Sequence, residues 1–326
     1  MKRIAASLAA LLLTVAFAAC GSGAEPDVPA DGAAATLVLD FQPNAVHAGI
    51  YAAQATGALA DRGVDLEVRI PGASTDAPKL LEAGRADLAV IDIQDLAIAR
   101  EQGADLVGVG AIVQRPLAAV IAADRAAIRT AADLRGATVG VTGLPSDDAV
   151  LRAVLDSVGG SEGNPPETVT IGFDSVASLA AGRVDAATAF WNVEGVALRG
   201  AGVPTREFRV DDYGAPRFPE LVLVTTREQL ESDRELIAAV VAGLRDGYAI
   251  AADDPSAALD AEISAVPALD RDLLEAQMAA LDGAFSPPLR LDRAVLADWA
   301  DYAVEYGIVV GRPDIDETFD LSLAGR

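Results

Sequence analysis

Glu82-Ala-Gly-Arg-Ala-Asp-Leu-Ala89 and Ala181-Gly-Arg-Val-Asp-Ala-Ala187 share one pattern. In each stretch a helical segment ends at a glycine, the residue that most often closes a helix, and an apolar strand follows. Around both stretches, short β-rich segments alternate with helical ones, which predicts an α/β fold with mostly parallel sheets. The repetition indicates two lobes of similar construction.

The predicted lobes are built from three segments of the chain. Residues 123–218 carry the second copy of the pattern and form lobe II. They are inserted between residues 36–122 and 219–326, which together form lobe I. Because the chain crosses twice between the lobes, we expect a hinge and a central cleft.

The amino-terminal residues 1–20 have the pattern of a secretory signal peptide. A basic start and an apolar run over residues 4–17 precede two alanines and Cys20. The end of this segment resembles a bacterial lipobox, which implies lipidation of Cys20; ordinary signal cleavage is the alternative. Residues 21–35, poor in apolar side chains, are predicted to be a linker. No later segment has the roughly 20 consecutive apolar residues that a membrane-spanning helix needs. We therefore expect an exported protein that a lipid anchor holds at the membrane.

Composition excludes several classes of function. The 326 residues carry a net charge of −24, and a protein this acidic would be repelled by nucleic acid. A single cysteine excludes an internal disulfide framework and a cysteine-rich metal cluster. The single histidine, His47, has no Ser or Asp partner that its spacing would support. Neither a cofactor nor a metal ion is therefore expected.

Two motifs are more specific than this general pattern. Leu39-Asp-Phe-Gln-Pro-Asn-Ala-Val-His-Ala-Gly-Ile-Tyr51 and Phe190-Trp-Asn-Val-Glu-Gly195 resemble solute-binding proteins that feed ABC importers of thiamine pyrimidine precursors. Shorter matches lie at residues 76–89, 113–117, 143–147 and 208–214. The resemblance implies a two-lobed, type II periplasmic-binding-protein fold that closes on hydroxymethylpyrimidine or formylaminopyrimidine. It also implies an ABC permease as partner, a monomer, and a lipid-anchored position on the extracytoplasmic face of the cell membrane.

The chemistry of an aminopyrimidine indicates which residues would bind it. The ligand is a flat π-system whose edge carries an amino group beside a ring nitrogen, so it needs aromatic faces and a carboxylate. Trp191 and Glu194 follow a predicted strand, at the sheet edge where α/β proteins bind ligands. Glu194 would accept from the amino group and from a protonated ring nitrogen. The predicted ligand-binding residues are Phe41, Asn44, His47, Gln94, Ser146, Trp191, Glu194 and Tyr213.

Structural alternatives remain open for these side chains. Trp191 can be a core residue, and the negative charge of Glu194 can interact favourably with the dipole of the helix that begins at this residue. Asn44 and Ser146 can act as helix caps, and the sequence around Tyr213 is typical of a turn.

Fungal synthases of the thiamine pyrimidine resemble the same fold, and they use a lysine-bound pyridoxal phosphate and a sacrificed histidine. In this chain their lysine falls on Ile91 and their histidine on Asp95, so we predict that the protein is not an enzyme. Alternatives are the same fold binding riboflavin, a sulfonate or nitrate, a synthase-like enzyme, or a structural surface lipoprotein. A small anion would require Arg or N–H donors rather than Glu194, which favours a cationic heterocycle.

Overall fold

The structure is a computed structural model that describes residues 32–73, 75–124 and 127–324. The predicted signal peptide, Cys20 and residues 21–31 of the predicted linker lie outside the described residues. Residues 33–35, also predicted as linker, instead begin the first strand. Among the described residues, no helix is both long and apolar enough to cross a membrane.

Two five-stranded sheets are formed by the described residues. The strands are β1 (Ala33–Val38), β2 (Val64–Arg69), β3 (Leu88–Asp92), β4 (Leu106–Ala111), β5 (Ala118–Ala123), β6 (Thr138–Val141), β7 (Glu167–Thr170), β8 (Ala186–Phe190), β9 (Thr205–Arg209) and β10 (Leu221–Thr226). The first sheet has the order β2-β1-β3-β10-β4, and the second has the order β7-β6-β8-β5-β9.

Helices connect the strands and make up most of the carboxyl-terminal third. They are α1 (Ala48–Ala55), α2 (Asp76–Glu82), α3 (Ile93–Glu101), α4 (Ser146–Asp156), α5 (Ser175–Ala181), α6 (Glu194–Gly200), α7 (Arg227–Ser232), α8 (Arg234–Asp253), α9 (Pro255–Ala265), α10 (Arg271–Ala280), α11 (Arg293–Glu305) and α12 (Ile315–Thr318). The two repeated stretches behave as predicted, because Gly84 and Gly182 close their helices with φ of 61° and 69°. Strands β3 and β8 follow them, one in each sheet.

The prediction of mostly parallel sheets is wrong for half of the strand pairs. β1 pairs in parallel with β2 and β3, and β6 pairs in parallel with β7 and β8. β10 is antiparallel to both of its neighbours, and so is β5. The reason is connectivity: β5 and β10 each enter their sheet from the other sheet, without the helical crossover that makes neighbouring strands parallel.

The chain changes sheets at two crossings. The first crossing, residues 112–117, precedes β5, so the predicted lobe boundary after residue 122 falls inside a strand of the second sheet. The second crossing, residues 210–220, leads back into β10. The two crossings are hydrogen-bonded to each other, since Glu220 N donates to Val113 O at 3.1 Å. Ile112 N also donates to O of Leu221, the first residue of β10, at 2.8 Å. The exact lobe boundaries stay a prediction.

Three strands of the two sheets are buried along their whole length. Every residue of β3, β4 and β5 is buried, and apolar clusters pack on both faces of these strands. Tyr248 of α8 is fully buried and donates its hydroxyl to Val46 O at 2.9 Å. This bond anchors the short turn that follows β1, which carries several of the predicted ligand-binding residues.

Candidate functional site

A cavity of about 100 Å³ lies between the two sheets and is lined by residues of both. It opens where β1, β3, β6, β7 and β8 end, which are five of the six strands that pair in parallel. Ligands of α/β proteins bind at this edge. The acidic side chains of the lining are Asp40, Asp92, Asp95, Asp147 and Glu194. The aromatic side chains of the lining are Phe41, Phe173 and Phe190.

Glu194 is the first residue of α6 and follows β8 closely. Its carboxylate accepts a hydrogen bond from Phe190 N at 3.0 Å and one from the Ser175 hydroxyl at 3.4 Å. Burial raises the pKa of Glu194 to about 7, and the charge of Asp40 adds to the rise against these hydrogen bonds. Near neutral pH this carboxyl therefore exchanges a proton readily, and it faces a cavity in which a donor group can meet it.

Asp40 faces the same cavity and is held from behind by His47. The two side chains are 2.8 Å apart, between His47 Nε2 and Asp40 Oδ1. Asn44 N donates to His47 Nδ1 at 3.2 Å, and a backbone N–H can only donate, so Nδ1 carries no proton. The proton is therefore on Nε2, which donates to Asp40. His47 is fully buried, does not line the cavity and contacts Asp40 instead, so a direct contact between His47 and ligand stays a prediction that this geometry does not favour.

Two phenylalanines meet across the cavity. Phe41 follows β1 of the first sheet, and Phe173 follows β7 of the second. Their ring centroids are 4.5 Å apart with an interplanar angle of 79°, an edge-to-face contact. Both rings are partly exposed, so they lie between the cavity and solvent.

Trp191 does not line the cavity, contrary to the prediction. The indole is 2% exposed and donates its Nε1–H to Pro116 O, in the first crossing, at 3.2 Å. The guanidinium groups of Arg115 and Arg209 lie 4.9 and 4.2 Å from the centre of the ring. The indole therefore serves the packing of the crossing, and Phe173 and Phe190 supply the aromatic surface that the second sheet gives to the cavity.

Two further predicted residues lie outside the lining. Gln94 is buried on α3 and accepts a hydrogen bond from Trp299 Nε1 at 3.0 Å, so its amide belongs to the core. Tyr213 lies in the second crossing, where its ring meets Phe208 edge-on at 6.1 Å. Both side chains are held by packing that only the folded chain creates.

Asn44 and Ser146 do line the cavity, but their polar groups already have partners within the protein. Asn44 Oδ1 accepts from Val46 N at 3.0 Å, and its amide donates to Gln42 O at 2.9 Å. The Ser146 hydroxyl donates to Asp95 Oδ2 at 3.0 Å. Asn44 thus acts as the cap that the sequence analysis offered as an alternative.

Asp147 organises the loop that leads into α4. Its carboxylate accepts from the hydroxyls of Thr142 and Thr188 and from the backbone N–H groups of Gly143 and Leu144. This carboxylate is therefore saturated with donors, although it lines the cavity.

A pair of buried acids, Asp92 in the lining of the cavity and Glu220 beside it, was not predicted. Asp92, at the end of β3, accepts from Gln94 N at 2.7 Å. Glu220, in the second crossing, accepts from Leu117 N and from Ala118 N, the latter at 2.8 Å. Burial raises the pKa of both carboxyls, and the charge of Glu220 raises that of Asp92 further. No sequence motif signals this group, because its members are far apart in the chain.

The lining is rich in hydrogen-bond acceptors and poor in free donors. The hydroxyls of Ser146 and Thr188 and the amide of Asn44 donate to protein acceptors. Within the described ranges, the lining includes no Lys, Arg or His. No group of three or more His, Cys, Asp or Glu side chains in these ranges is arranged to hold a metal ion. The cavity is suited to a ligand with several donors and an aromatic face.

Comparison with known proteins identifies relatives of the chain. The sequence profile of the family described as NMT1/THI5 like matches residues 44–258. The formylaminopyrimidine-binding protein of Halalkalibacterium halodurans is 32% identical over 254 residues, which are 77% of this chain and 76% of the relative. The 4-amino-5-hydroxymethyl-2-methylpyrimidine phosphate synthase of Legionella pneumophila is 24% identical over 297 residues, covering 88% and 89% of the two chains.

Solved structures show the same fold. The alkanesulfonate-binding protein of Xanthomonas axonopodis bound to MOPS superposes with a TM-score of 0.70 and 19% identity. The match covers 89% of this chain and 99% of that one. At this level of identity the likeness concerns the fold alone, and it confirms the predicted periplasmic-binding-protein class.

Proposed function

Because this chain belongs to the NMT1/THI5-like family, we propose that it is the solute-binding protein of an ABC importer and binds an aminopyrimidine precursor of thiamine. The observation that carries this proposal is the position of Glu194. Its buried carboxylate faces a cavity that is lined with aromatic rings and contains no basic side chain among the described residues.

The amino group and the adjacent ring nitrogen of an aminopyrimidine form a two-donor edge once the nitrogen is protonated. A carboxylate meets such an edge with two parallel, charge-assisted hydrogen bonds. Glu194 supplies that carboxylate, and Asp40 adds a second negative charge that favours the protonated ring. The rings of Phe41 and Phe173 offer apolar surface to the flat faces of the ligand.

Anionic ligands suit this cavity poorly. Among the described residues, its lining has five acidic side chains and no basic one, so a sulfonate, nitrate or phosphate ester would be repelled. The relative that binds alkanesulfonates thus shares the fold without supporting that ligand for this chain.

We also propose that the chain binds its ligand without converting it. The Legionella synthase relative raises the alternative of an enzyme. Ile91, where the resemblance places the lysine of the fungal synthases, lines the cavity with an alkyl side chain that has no amine. Lys79 is exposed on α2 and donates to the Thr75 hydroxyl at 2.9 Å. These positions support a binding role.

The proposal includes a location and a partner. We infer that Cys20 is lipidated, that the body lies outside the cell membrane as a monomer, and that a permease accepts the ligand from the closed form. Mass spectrometry of the protein extracted from membranes tests the lipid, since diacylation adds the mass of two acyl chains. An unmodified mature chain in the soluble fraction would contradict it.

A matched pair of ligands tests the function itself. Isothermal titration should show binding of 4-amino-5-hydroxymethyl-2-methylpyrimidine, and at least 100-fold weaker binding of the analogue with a carbonyl in place of the amino group. The titration is made at pH 8, where Glu194 with its pKa of about 7 is mostly ionised, so the carbonyl would face a carboxylate with no donor between them. Equal affinity for the two compounds, or no binding of either at millimolar concentration, would overturn the proposal.

A further inference from the structure

A contact outside the ligand cavity joins the half of the molecule built on the second sheet to the half built on the first. Arg152 belongs to α4, which follows β6 of the second sheet. Its Nη1 donates to Tyr306 O at 3.0 Å and to Gly307 O at 3.1 Å, at the carboxyl end of α11. These three residues are outside the lining of the cavity. The contact therefore joins the halves at a distance from the place where ligand is proposed to bind.

The helix that accepts these bonds is fixed to the first half and to the second crossing. Trp299 of α11 donates its Nε1–H to Gln94 of α3 at 3.0 Å. Nearer to the end of the helix, the ring of Tyr302 contacts the rings of Phe218 and Tyr306, with centroid distances of 5.6 and 4.6 Å. Phe218 lies in the second crossing. The carbonyl groups at the end of α11 therefore have a fixed position relative to the first sheet.

The backbone at Gly307 leaves room for the guanidinium. Gly307 follows α11 with a φ of 64°, a conformation that favours glycine. A Cβ atom at this position would lie 2.6 Å from Arg152 Nη1, so a larger residue would displace the guanidinium. The carbonyl end of a helix carries a partial negative charge, which a guanidinium complements. Backbone shape and charge thus both suit Gly307 to receive Arg152.

Rotation of the halves about the two crossings would break this contact. α4 moves with the second sheet and α11 with the first, and a hydrogen bond is lost when its partners separate by roughly half an ångström more than the ideal distance. In an open form, water would solvate the guanidinium and both carbonyl groups. The bonds from Arg152 therefore contribute free energy to the form in which the halves meet, and none to an open form.

We propose that Arg152 is a closure brace, which holds α4 against the end of α11 while the cavity is closed and so favours the ligand-holding form without contacting ligand. The brace slows the reopening that releases ligand, because its bonds have to break first. The inference rests on the proposed function, since the brace acts on ligand only by keeping the cavity closed around it.

A matched pair of arginine variants tests the brace. Arg135 donates Nε to Gly160 O at 2.7 Å and Nη2 to Val158 O at 2.8 Å, beyond the end of α4 and within one half. We expect Arg152→Gln to weaken binding of 4-amino-5-hydroxymethyl-2-methylpyrimidine by about fivefold, through faster dissociation. Arg135→Gln should lower the melting temperature and leave Kd unchanged. Arg152→Lys, which can still donate to both carbonyl groups, should restore most of the affinity.

A glycine variant displaces the brace without removing the arginine. Asn tolerates a positive φ, so Gly307→Asn should keep α11 and push the guanidinium away, with the same loss of affinity as Arg152→Gln. Gly84→Asn is the control, because Gly84 follows α2 with a φ of 61° and a Cβ atom there meets open space. In the double variant of Arg152 and Gly307 the two losses should not add, since both remove one contact.

The distance between the halves gives a readout that needs no ligand. Spin labels at Ile70→Cys, after β2, and Val169→Cys, on β7, occupy exposed positions of the two halves in a Cys20→Ser background. Without ligand, the ratio of open to closed molecules should rise about fivefold in Arg152→Gln and stay unchanged in Arg135→Gln.

Two results would overturn the brace: equal distance distributions in Arg152→Gln and the wild type, or the same shift in Arg135→Gln. Unchanged affinity in Arg152→Gln would also contradict it, while binding by the wild type would leave the proposed function intact. Absence of binding in the wild type would instead overturn the proposed function, and the distances measured without ligand would still decide whether Arg152 holds the halves together.

Discussion

His47 donates its Nε2 proton to Asp40 Oδ1 across 2.8 Å, and Asn44 N fixes this tautomer by donating to Nδ1. The only histidine of the chain thus holds an acid of the cavity in place without touching the cavity itself. Positioning groups of this kind fix the geometry of the residues that do contact ligand.

Two substitutions of His47 separate its two hydrogen bonds. The amide nitrogen of His47→Gln can occupy the place of Nε2 and keep the bond to Asp40, whereas His47→Asn can keep only the bond to Asn44 N. We expect His47→Asn to weaken pyrimidine binding by about tenfold, and His47→Gln to weaken it much less, because an unanchored Asp40 loses its orientation. Isothermal titration measures both. Equal losses in the two variants would show that the bond to Asp40 is not the one that matters.

Substitution of two aromatic residues, Phe173 and Trp191, should cause different losses, one of ligand affinity and the other of thermal stability. Phe173→Ala removes a ring from the cavity and should weaken binding by about tenfold with a small change in melting temperature. Trp191→Phe should instead lower the melting temperature and leave the affinity for ligand nearly unchanged. The indole of Trp191 donates to Pro116 O and contacts two guanidinium groups in the packed crossing. Thermal unfolding and titration of both variants, with Val169→Ala on β7 as control, give the comparison. Loss of affinity in Trp191→Phe alone would restore the indole as the ligand-stacking residue.

Glu194→Gln should change affinity and stability in opposite directions. The variant loses the charge that meets the ligand edge, and we expect at least 100-fold weaker binding at pH 7. Its folded-state pKa of about 7 lies above that of an unfolded chain, so ionisation costs the folded state stability as pH rises from ~4.3 toward 7. At pH 8 the variant should therefore be more stable than wild type by on the order of 3 kcal/mol. Urea unfolding checks this, and no gain at pH 8 would show that the carboxylate is not penalised by burial.

A second buried acid, Glu262, lies outside the lining of the cavity and should also lower the stability of the folded chain as pH rises. It is fully buried on α9, neither carboxyl oxygen has a partner, and burial raises its pKa to about 8. The unfolded chain ionises this group from pH ~4.3 while the folded chain keeps the proton, so stability falls as pH rises to about 8. Glu262→Gln should gain on the order of 4–5 kcal/mol at pH 8 and almost nothing at pH 4.

Urea unfolding at the two pH values measures the gain from Glu262→Gln. The exposed Glu228→Gln on α7 serves as the control, since an exposed glutamate ionises alike in both states. A gain of the same size at pH 4 would mean that charge is not its cause.

Much of the candidate site was accessible from the rule that ligands meet the carboxyl ends of parallel strands. The rule pointed to Phe41, Asn44 and Glu194, which line the cavity, and equally to His47 and Trp191, which do not. Applied to β7, the same rule would also have found Phe173. The alanine-rich strand β5 escaped the sequence analysis because Ala-Ala-Val-Ile-Ala-Ala has little of the β-branched and aromatic content that marks a strand.

By itself, the sequence determined the α/β class, most helices and strands, and the sheet edge at which polar and aromatic residues collect, because these depend on local periodicity and on glycine and proline. Only the tertiary structure decided that Trp191 serves the crossing, that β5 and β10 run antiparallel, and that Asp95 meets Ser146. Side-chain direction beyond a strand end and the burial of a charge depend on neighbours distant in the chain, which local sequence does not specify.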